Sequence, residues 1–284
     1  MRVALLGLGR IGTALAERLL DGEHELTVWN RTPEKAEPLR ESGARVVSTS
    51  REAVDGVDVA MTMLANDDAV RAVALGDAGF LDVLGDSAVY VDCSTIAPAL
   101  SEELATAAGP NRFLAMAIAG APQAVRTGAA VYLAGGPADV LERVQPVTKT
   151  LGGTLRRFDR PREALSAKLA NNLMLLAGVM ALAEAFEVGR AGGLDDDALR
   201  KLLADNPTVP PALKNRFDGI LTGEHESWWT TTLGAKDAAL MVDHAASAGV
   251  DLPLTGTVRD GLSRAAERHP DEDIVAIRSN YRSA

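Results

Sequence analysis

A glycine-rich turn near the start of the chain constrains its fold more than any other feature. It reads Gly7-Leu8-Gly9-Arg10-Ile11-Gly12, follows the apolar run 3–6 and opens an amphipathic segment over 11–20. In such a strand–turn–helix unit, one glycine makes the tight turn and the next lets a ligand approach the backbone. The third lets the helix pack closely on the strand. The helix N-terminus offers free N–H groups and positive dipole to an anion. The turn therefore predicts a pyrophosphate site, made by all six residues, for a dinucleotide.

The end of the second apolar run indicates which dinucleotide binds. Folds that use NAD place Asp or Glu about 20 residues after the turn, where it binds the ribose 2′-hydroxyl. This chain has Asn30-Arg31-Thr32 there. Amide, guanidinium and hydroxyl groups bind a 2′-phosphate that a carboxylate would repel. We therefore expect NADP(H), held by Asn30, Arg31 and Thr32, although the same residues also form a turn and a helix start.

Strand and helix patterns alternate up to about residue 160 and then stop. Short apolar runs lie at 3–6, 26–29, 57–61, 88–91 and 130–133, between amphipathic segments at 11–20, 33–41 and 98–108. From Arg162 onward only helical spacing remains. The pattern predicts an α/β Rossmann domain over 1–160, with a mostly parallel sheet and helices on both faces. An all-α domain over 161–284 follows it, joined by a long helix that begins around Glu163.

The composition excludes several classes of protein. The chain has 284 residues and a net charge of −10, with no basic block, which disfavours nucleic-acid and anionic membrane partners. Its one cysteine, Cys93, and four scattered histidines predict no disulfide framework and no metal site. The apolar run 169–183 is shorter than the about 20 residues of a membrane span. We expect a cytoplasmic protein with a small-molecule substrate.

Four blocks of sequence resemble the β-hydroxyacid dehydrogenases, the group that contains 3-hydroxyisobutyrate dehydrogenase and glyoxylate/succinic semialdehyde reductases. They are the glycine turn, Asp92-Cys93-Ser94-Thr95, Lys168-Leu169-Ala170-Asn171-Asn172 and Lys236-Asp237, and the resemblance covers nearly the whole chain. In this family a Rossmann domain precedes an all-helical domain, with catalysis at the cleft between them. The resemblance implies an NADP-dependent oxidoreductase that acts on a small 3-hydroxyacid or semialdehyde, and a homodimer that pairs through the helical domain.

The catalytic prediction concerns Lys168. On a helix, Lys168 and Asn172 share one face, and the apolar stripe that starts at Leu169 turns away from it. A lysine beside a carbonyl can hold its oxygen by a charge-assisted hydrogen bond and exchange a proton with it. The resemblance makes Lys168 the general acid/base and gives Asn172 the orientation of the substrate, with Asn171 beside it. The alternative interpretation is an ordinary lysine on a helix surface.

The resemblance assigns further residues to the site. Ser94 and Thr95 follow the run 88–91 and would bind a substrate carboxylate, Thr95 also lying near the cofactor; capping the next helix is the alternative. The segment Met63-Leu64-Ala65 would line the cofactor, although apolar packing alone explains it equally well. Lys236 would lie near the nicotinamide. Trp229 stands where the family usually has Phe; like Trp228, it is also a candidate for core or dimer interface.

One segment departs from the family. Where the family's substrate loop reads Asp-Ala-Pro-Val-Ser-Gly-Gly, this chain reads 115–121 as Ala-Met-Ala-Ile-Ala-Gly-Ala. With Ala115 and Ala119 in place of Asp and Ser, we expect weaker recognition of a hydroxyacid near Ala119 and Gly120, and better tolerance of an apolar substrate.

That segment leaves two alternative functions open. Residues 117–123 resemble the loop of NADPH-dependent imine reductases, which reduce C=N bonds and usually have Asp or Tyr at the position of Lys168. The lysine favours the dehydrogenase, and imine reductase is the alternative. A second alternative, a non-catalytic NADP-binding sensor, has no need of Lys168 and Asn172.

Overall fold

The computed structural model describes residues 1–281, and eight strands within them form one sheet. The strands are β1 Arg2–Leu6, β2 Glu25–Trp29, β3 Arg45–Val46, β4 Val59–Thr62, β5 Val89–Asp92, β6 Phe113–Ala119, β7 Val131–Gly135 and β8 Thr154–Phe158. Their spatial order is β3-β2-β1-β4-β5-β6-β7-β8, and only the β6–β7 pair is antiparallel. The predicted α/β class, with a mostly parallel sheet, is confirmed.

The strand order creates a crevice beside β1. This strand pairs with β2 on one side and with β4 on the other, so successive connections leave it in opposite directions. In open parallel sheets, ligands bind at the carboxyl ends of the strands where the order reverses in this way. The ends of β1, β2, β4 and β5 therefore define the edge of the sheet at which a site is expected.

Helices cover both faces of the sheet. They are α1 Arg10–Leu20, α2 Glu37–Glu41, α3 Ser50–Ala53, α4 Asp67–Val70, α5 Pro98–Ala108, α6 Pro122–Arg126, α7 Ala138–Arg143 and α8 Gln145–Leu151. A 3₁₀ turn, Pro33–Lys35, precedes α2, and a π-helical turn, Arg71–Leu75, follows α4. One buried cluster contains Leu15 of α1 and Val147 of α8, and a second contains Leu100 and Leu104 of α5. Both faces of β1, β4, β5, β6 and β7 are thus buried, which explains their continuous apolar runs.

The sequence patterns miss β3, β6 and β8. The interpretation of 115–121 as a substrate loop needs correction, because residues 115–119 lie in β6, in register with β7. Ala115 and Ala117 are fully buried there. The alanines at 115 and 117 therefore pack in the core, and only residues 119–121 of the segment are partly or fully exposed. Strand β8 escaped detection because its residues are mostly exposed and include two arginines.

A single helix, α9, spans Pro161–Ala191. The helix begins at a proline, which has no N–H group, at a position where an N–H would have no partner within the helix. It ends before Gly192-Gly193, where Gly193 has φ +86°. By length and composition α9 could cross a membrane, but core helices of soluble proteins pass the same test. In this structure 44% of its most apolar window is buried. The cytoplasmic location stays a prediction.

The chain divides into two compact units, Met1–Lys168 and Leu169–Ala284. After α9 the second unit contains α10 Asp196–Ala204, α11 Pro211–Lys214, α12 Phe217–Thr222, α13 Thr231–Ala246, α14 Pro253–Arg268 and a 3₁₀ segment, Ile274–Asn280. No β-strand occurs between residue 161 and residue 281, as the sequence predicts. The domain boundary at 160 stays a prediction, and residues 282–284 of the predicted domain 161–284 lie outside the described residues.

Candidate active site

The three glycines of the turn after β1 have three different surroundings. Gly7 has φ +103°, and a Cβ there would lie 2.3 Å from the carbonyl oxygen of Met63. A Cβ on Gly12 would lie 2.0 Å from the carbonyl oxygen of Gly7, so helix and turn are in closest contact there. A Cβ on Gly9 would meet nothing within 4 Å. The middle glycine therefore borders open space, as close approach of a phosphate to the backbone requires.

The N-terminus of α1 also fits an anion. Gly9 is its N-cap, no side chain caps the helix, and its first turn carries no acidic residue. Arg10 is exposed beside it, while Leu8 is buried and Ile11 half-buried. Free N–H groups and the helix dipole are thus available to a pyrophosphate, so the residues present fit the dinucleotide.

The residues that follow β2 divide into a supporting amide and an exposed cation. The Asn30 Oδ1 accepts a hydrogen bond from the Leu8 N–H at 2.9 Å, and its Nδ2 donates to the Thr32 carbonyl at 2.8 Å. Asn30 therefore ties the glycine turn to the end of β2. Arg31 and Thr32 are exposed, and the Arg31 guanidinium has no hydrogen bond or ion pair with residues 1–281. The guanidinium thus remains available to an anionic ligand.

The ends of β4 and β5 are joined by buried hydrogen bonds. Asp92 and Ser94 are fully buried. The Ser94 hydroxyl donates to Asp92 Oδ1 at 2.7 Å and accepts from the Leu64 N–H at 2.9 Å. Met63, Leu64 and Thr95 are half-buried, and Ala65 is exposed. The two segments assigned to cofactor and substrate are therefore neighbours at one sheet edge.

Two of the three predicted site residues on α9 are buried. Lys168 is 8% exposed and Asn172 is 4% exposed, whereas Asn171 between them is exposed. Burial of a lysine to this extent is rare in proteins unless it has partners or a function, and it makes a simple surface lysine a poor interpretation. The predicted polar pair thus lies on a protected part of the helix.

In the second unit, a carboxylate of α13 orients Asn172. The Asn172 Nδ2 donates to Asp237 Oδ2 at 2.9 Å, and both side chains are buried. The Asp237 Oδ1 lies 2.5 Å from Lys236 Nζ. The Asn171 Nδ2 donates to Asn172 Oδ1 at 3.4 Å. The structure therefore brings Asn171, Asn172 and Lys236 together around Asp237, a residue whose role the sequence pattern does not predict.

The two tryptophans belong to a segment held by Asp273. This buried carboxylate accepts from the backbone N–H groups of Trp228 and Trp229, both at 3.1 Å, through Oδ2. The Arg216 Nε lies 3.5 Å from its Oδ1, and the Arg216 guanidinium lies over the Trp228 ring at 5.4 Å. Both tryptophans are half-buried. Asp273 carries no sequence signal, because it is one of three consecutive acidic residues, 271–273.

Asp92, Asp237 and Asp273 organise these segments, a role that local sequence patterns do not predict. A carboxylate that directly ends an apolar strand, as Asp92 does, is the one available signal. No cluster of three or more His, Cys, Asp or Glu residues that could hold a metal occurs within residues 1–281. Burial raises the pKa of the Cys93 thiol well above its usual value, so this cysteine is a buried neutral residue.

Comparison with known proteins assigns both parts of the chain. Residues 2–159 match the model of the NAD binding domain of 6-phosphogluconate dehydrogenase. Residues 163–280 match the model of the NAD-binding domain of NADP-dependent 3-hydroxyisobutyrate dehydrogenase. A Rossmann domain with a nicotinamide-cofactor turn, followed by this helical domain, defines the protein as a nicotinamide-dependent oxidoreductase. The chain belongs to the β-hydroxyacid dehydrogenase family, as the sequence blocks predict.

Individual relatives agree with this assignment. The chain is 31% identical to the uncharacterised oxidoreductase YfjR of Bacillus subtilis, over 94% of this chain and 95% of the relative. It is 27% identical to the 3-hydroxyisobutyrate dehydrogenase of Pseudomonas aeruginosa, over 99% and 98%. The fold is that of the 3-hydroxyisobutyrate dehydrogenase of Mycobacterium tuberculosis, with a TM-score of 0.87, 24% identity and 99% of each chain covered. An imine reductase from Myxococcus stipitatus is less similar, with a TM-score of 0.67, 20% identity and 98% of each chain covered.

Proposed function

We propose that this protein is an NADP(H)-dependent reductase or dehydrogenase for a small substrate of the 3-hydroxyacid or semialdehyde type. The burial of Lys168 on the same helix as Asn172, whose amide is held by Asp237, is the observation that carries the proposal. A surface helix needs neither a buried lysine nor a fixed amide. A site that holds a carbonyl oxygen and moves a proton to it needs both.

The chemistry divides between cofactor and chain. When bound, the reduced nicotinamide supplies the hydride for the carbonyl carbon. Lys168 donates a hydrogen bond to the carbonyl oxygen and gives it a proton as negative charge develops, so a C–OH group and a neutral amine result. In the opposite direction the neutral amine takes the hydroxyl proton. Asn172 orients the substrate, and its amide keeps one direction because Asp237 accepts from Nδ2.

We assign the remaining predicted residues to the two ligands. The turn 7–12, Asn30, Arg31, Thr32 and the segment 63–65 hold the cofactor, with Thr95 and Lys236 near its nicotinamide. The substrate contacts Thr95, Asn171 and Trp229, and also the surface residues Ala119 and Gly120. The choice of NADP(H) over NAD(H) is supported by the exposed Arg31 and by the absence of a carboxylate at residues 30–32.

Imine reduction is the second candidate, and the surface residues after β6 favour it. Ala119 and Gly120 offer no side-chain hydroxyl to a substrate carboxylate. A panel assay separates the two functions by following NADPH absorbance with semialdehydes, β-hydroxyacids and cyclic imines. Turnover of imines alone would refute the dehydrogenase, and binding of NADPH without any turnover would favour the non-catalytic sensor.

Replacement of the lysine tests the mechanism. Lys168→Ala should lower kcat about 10²- to 10⁴-fold, because positioned proton transfer contributes that much, and should leave NADPH affinity nearly unchanged. Lys201→Ala, at an exposed lysine of α10, is the matched control and should keep wild-type turnover. Unchanged kcat in Lys168→Ala would refute the acid/base assignment.

We also propose that the protein forms a homodimer through its second unit. Two large apolar side chains of α9 are exposed to an unusual degree, Met174 at 76% and Val188 at 74%. They are two heptads apart and therefore lie on similar sides of the helix. These exposed side chains, together with the family resemblance, in which the helical domain pairs, support the proposal.

A further inference from the structure

The buried carboxylate of Asp92 has no part in the proposed chemistry, yet it accepts three hydrogen bonds at the end of β5. Its Oδ1 accepts from the Thr62 hydroxyl at 2.6 Å, from the Ser94 hydroxyl at 2.7 Å and from the Ser94 N–H at 3.3 Å. Its Oδ2 is buried without a hydrogen-bond partner among residues 1–281. An ionisable group in such surroundings is costly to bury, so its presence calls for a physical reason.

The direction of every hydrogen bond in this network follows from the chemistry of its members. An ionised carboxylate only accepts, so Thr62 and Ser94 each give Asp92 their single hydroxyl hydrogen. The Thr62 Oγ1 must then accept from the Tyr90 hydroxyl, 2.9 Å away, and burial raises the pKa of Tyr90 so that it keeps this hydrogen. The Ser94 Oγ accepts from the Leu64 N–H at 2.9 Å. Ser94 consequently has no hydrogen left for a substrate.

We propose that Asp92 is a positioning residue that fixes the cofactor-binding segment 63–65 through Ser94. The carboxylate holds the Ser94 hydroxyl in one orientation, and in that orientation its lone pair meets the Leu64 N–H. The inference rests on the proposed function, which assigns 63–65 to the cofactor. It changes the role of Ser94 from a substrate contact to a support for the cofactor segment, and it leaves the substrate carboxylate to Thr95, which is half-buried and next in the chain.

The strength of this support depends on the charge of Asp92. Burial raises the pKa of Asp92 to about 6, against the opposing effect of the Thr62 and Ser94 hydrogen bonds. The other titratable or charged groups that face it are Tyr90, Cys93 and Asp67. Burial raises the pKa of Tyr90 and of Cys93, so both remain neutral. Above about pH 6 the ionised carboxylate holds Ser94 by a charge-assisted bond, and below it the neutral acid holds Ser94 more weakly.

Fluorescence titration with NADPH tests the proposal without any substrate. Ser94→Ala should weaken binding about three- to tenfold near pH 8, because the Leu64 N–H loses its acceptor. Asp92→Asn should weaken binding to a similar extent near pH 8 and by less than about twofold near pH 5, where wild-type Asp92 is already protonated. The ratio of variant to wild-type Kd at each pH removes the titration of the cofactor's own phosphate.

A matched control removes an equally buried hydroxyl outside the network. Ser101 is fully buried and donates to the Pro98 carbonyl at 2.7 Å within α5, so Ser101→Ala should keep wild-type NADPH affinity. An Asp92→Asn ratio that is the same at all pH values would reduce Asp92 to a merely structural residue. If Ser94→Ala keeps wild-type NADPH affinity and raises the KM for the substrate, the proposal is wrong and Ser94 contacts the substrate. Failure of Lys168→Ala to lower turnover would refute the proposed chemistry and leave this binding test unaffected.

Discussion

At the residue scale, Gly9 and Gly12 differ in the space available for the Cβ methyl group of an alanine at each position. Around Gly12 the backbone of Gly7 leaves no room for a Cβ, whereas Gly9 faces open space and has an extended backbone, φ −72° and ψ −176°. Alanine can adopt that backbone without strain. The packing of the protein therefore requires the glycine at 12, whereas we expect the bound cofactor to require the glycine at 9.

Two alanine substitutions separate these requirements. Gly12→Ala should lower the free energy of unfolding by about 1–3 kcal/mol or more, since a methyl group is forced into a filled space. Gly9→Ala should keep the wild-type unfolding midpoint and weaken NADPH binding at least about tenfold, because the methyl group occupies the approach of the phosphates. Thermal unfolding and NADPH titration of both variants make the measurement. Equal loss of stability in the two variants would contradict it.

The proposed preference for NADP(H) rests in the same local way on the exposed guanidinium of Arg31. Arg31→Ala should weaken NADPH binding about 10- to 100-fold, the contribution of hydrogen bonds to a charged group, and should change NADH binding less than about twofold. Arg45→Ala removes the same charge from the neighbouring strand β3, at a position in register with Thr27 and away from the end of β2. This control should bind both cofactors as the wild type does. An equal loss for NADPH and NADH in Arg31→Ala would rule out the 2′-phosphate contact.

At the element scale, buried carboxylates hold segments that have little regular structure of their own. Residues 223–229, between α12 and α13, form no helix or strand. Their position depends on Asp273, which accepts the N–H groups of Trp228 and Trp229 and lies beside the buried Arg216. Burial lowers the pKa of Arg216 and Asp273 opposes this, so the carboxylate also keeps a buried guanidinium charged. Asp273 therefore connects the tryptophan segment to a buried charge pair.

Neutralising that carboxylate should loosen the segment. Asp273→Asn should lower the free energy of unfolding by about 3–5 kcal/mol, because Arg216 is left as an uncompensated buried charge. Urea unfolding followed by tryptophan fluorescence measures it. Asp271→Asn, at an exposed residue two positions earlier, should change stability by less than about 0.5 kcal/mol. A loss below about 1 kcal/mol in Asp273→Asn would show that the segment does not depend on the pair.

At the scale of the whole molecule, the second unit carries most of the strongly exposed apolar side chains. Met174 and Val188 of α9 are accompanied by Leu202 at 59% and Leu254 at 61% exposure. Water contact with such residues is unfavourable by about 25 cal/mol per Å² of apolar surface, so covering them stabilises an assembly. The proposed homodimer supplies that cover with a second copy of the same helix.

Negative charges in place of Met174 and Val188 on α9 should dissociate the proposed dimer. We expect the wild-type protein to sediment with twice its chain mass of 29.8 kDa, and Met174→Asp/Val188→Asp to sediment as a monomer. Val83→Asp, at a residue of the first unit that is 43% exposed, is the control and should remain dimeric. Sedimentation equilibrium over a range of protein concentrations gives the mass. A monomeric wild-type protein, or a dimeric double variant, would contradict the proposed interface.

Local sequence determined most of the fold. The alternation of apolar runs and amphipathic segments predicts β1, β2, β4, β5 and β7 and the long helix α9, because each such pattern buries one continuous face or stripe. The glycine turn predicts its own conformation, since the need for Gly7 and Gly12 arises from contacts within one strand–turn–helix unit and the strand beside it. The spacing of Lys168 and Asn172 likewise needs only the period of one helix.

Only the tertiary structure decided which polar groups support which others. Residues 115–119 form a strand because β7 pairs with them, although their alanine-rich sequence also suits a loop or a helix. Asp92 meets Thr62, and Asn172 meets Asp237, across 30 and 65 residues of chain. Hydrogen bonds act over about 3 Å in space, whatever the separation in sequence, so no local pattern reports them. The sequence by itself therefore determined most of the elements and the conformation of the glycine turn, and the packing of those elements decided the network around Asp92.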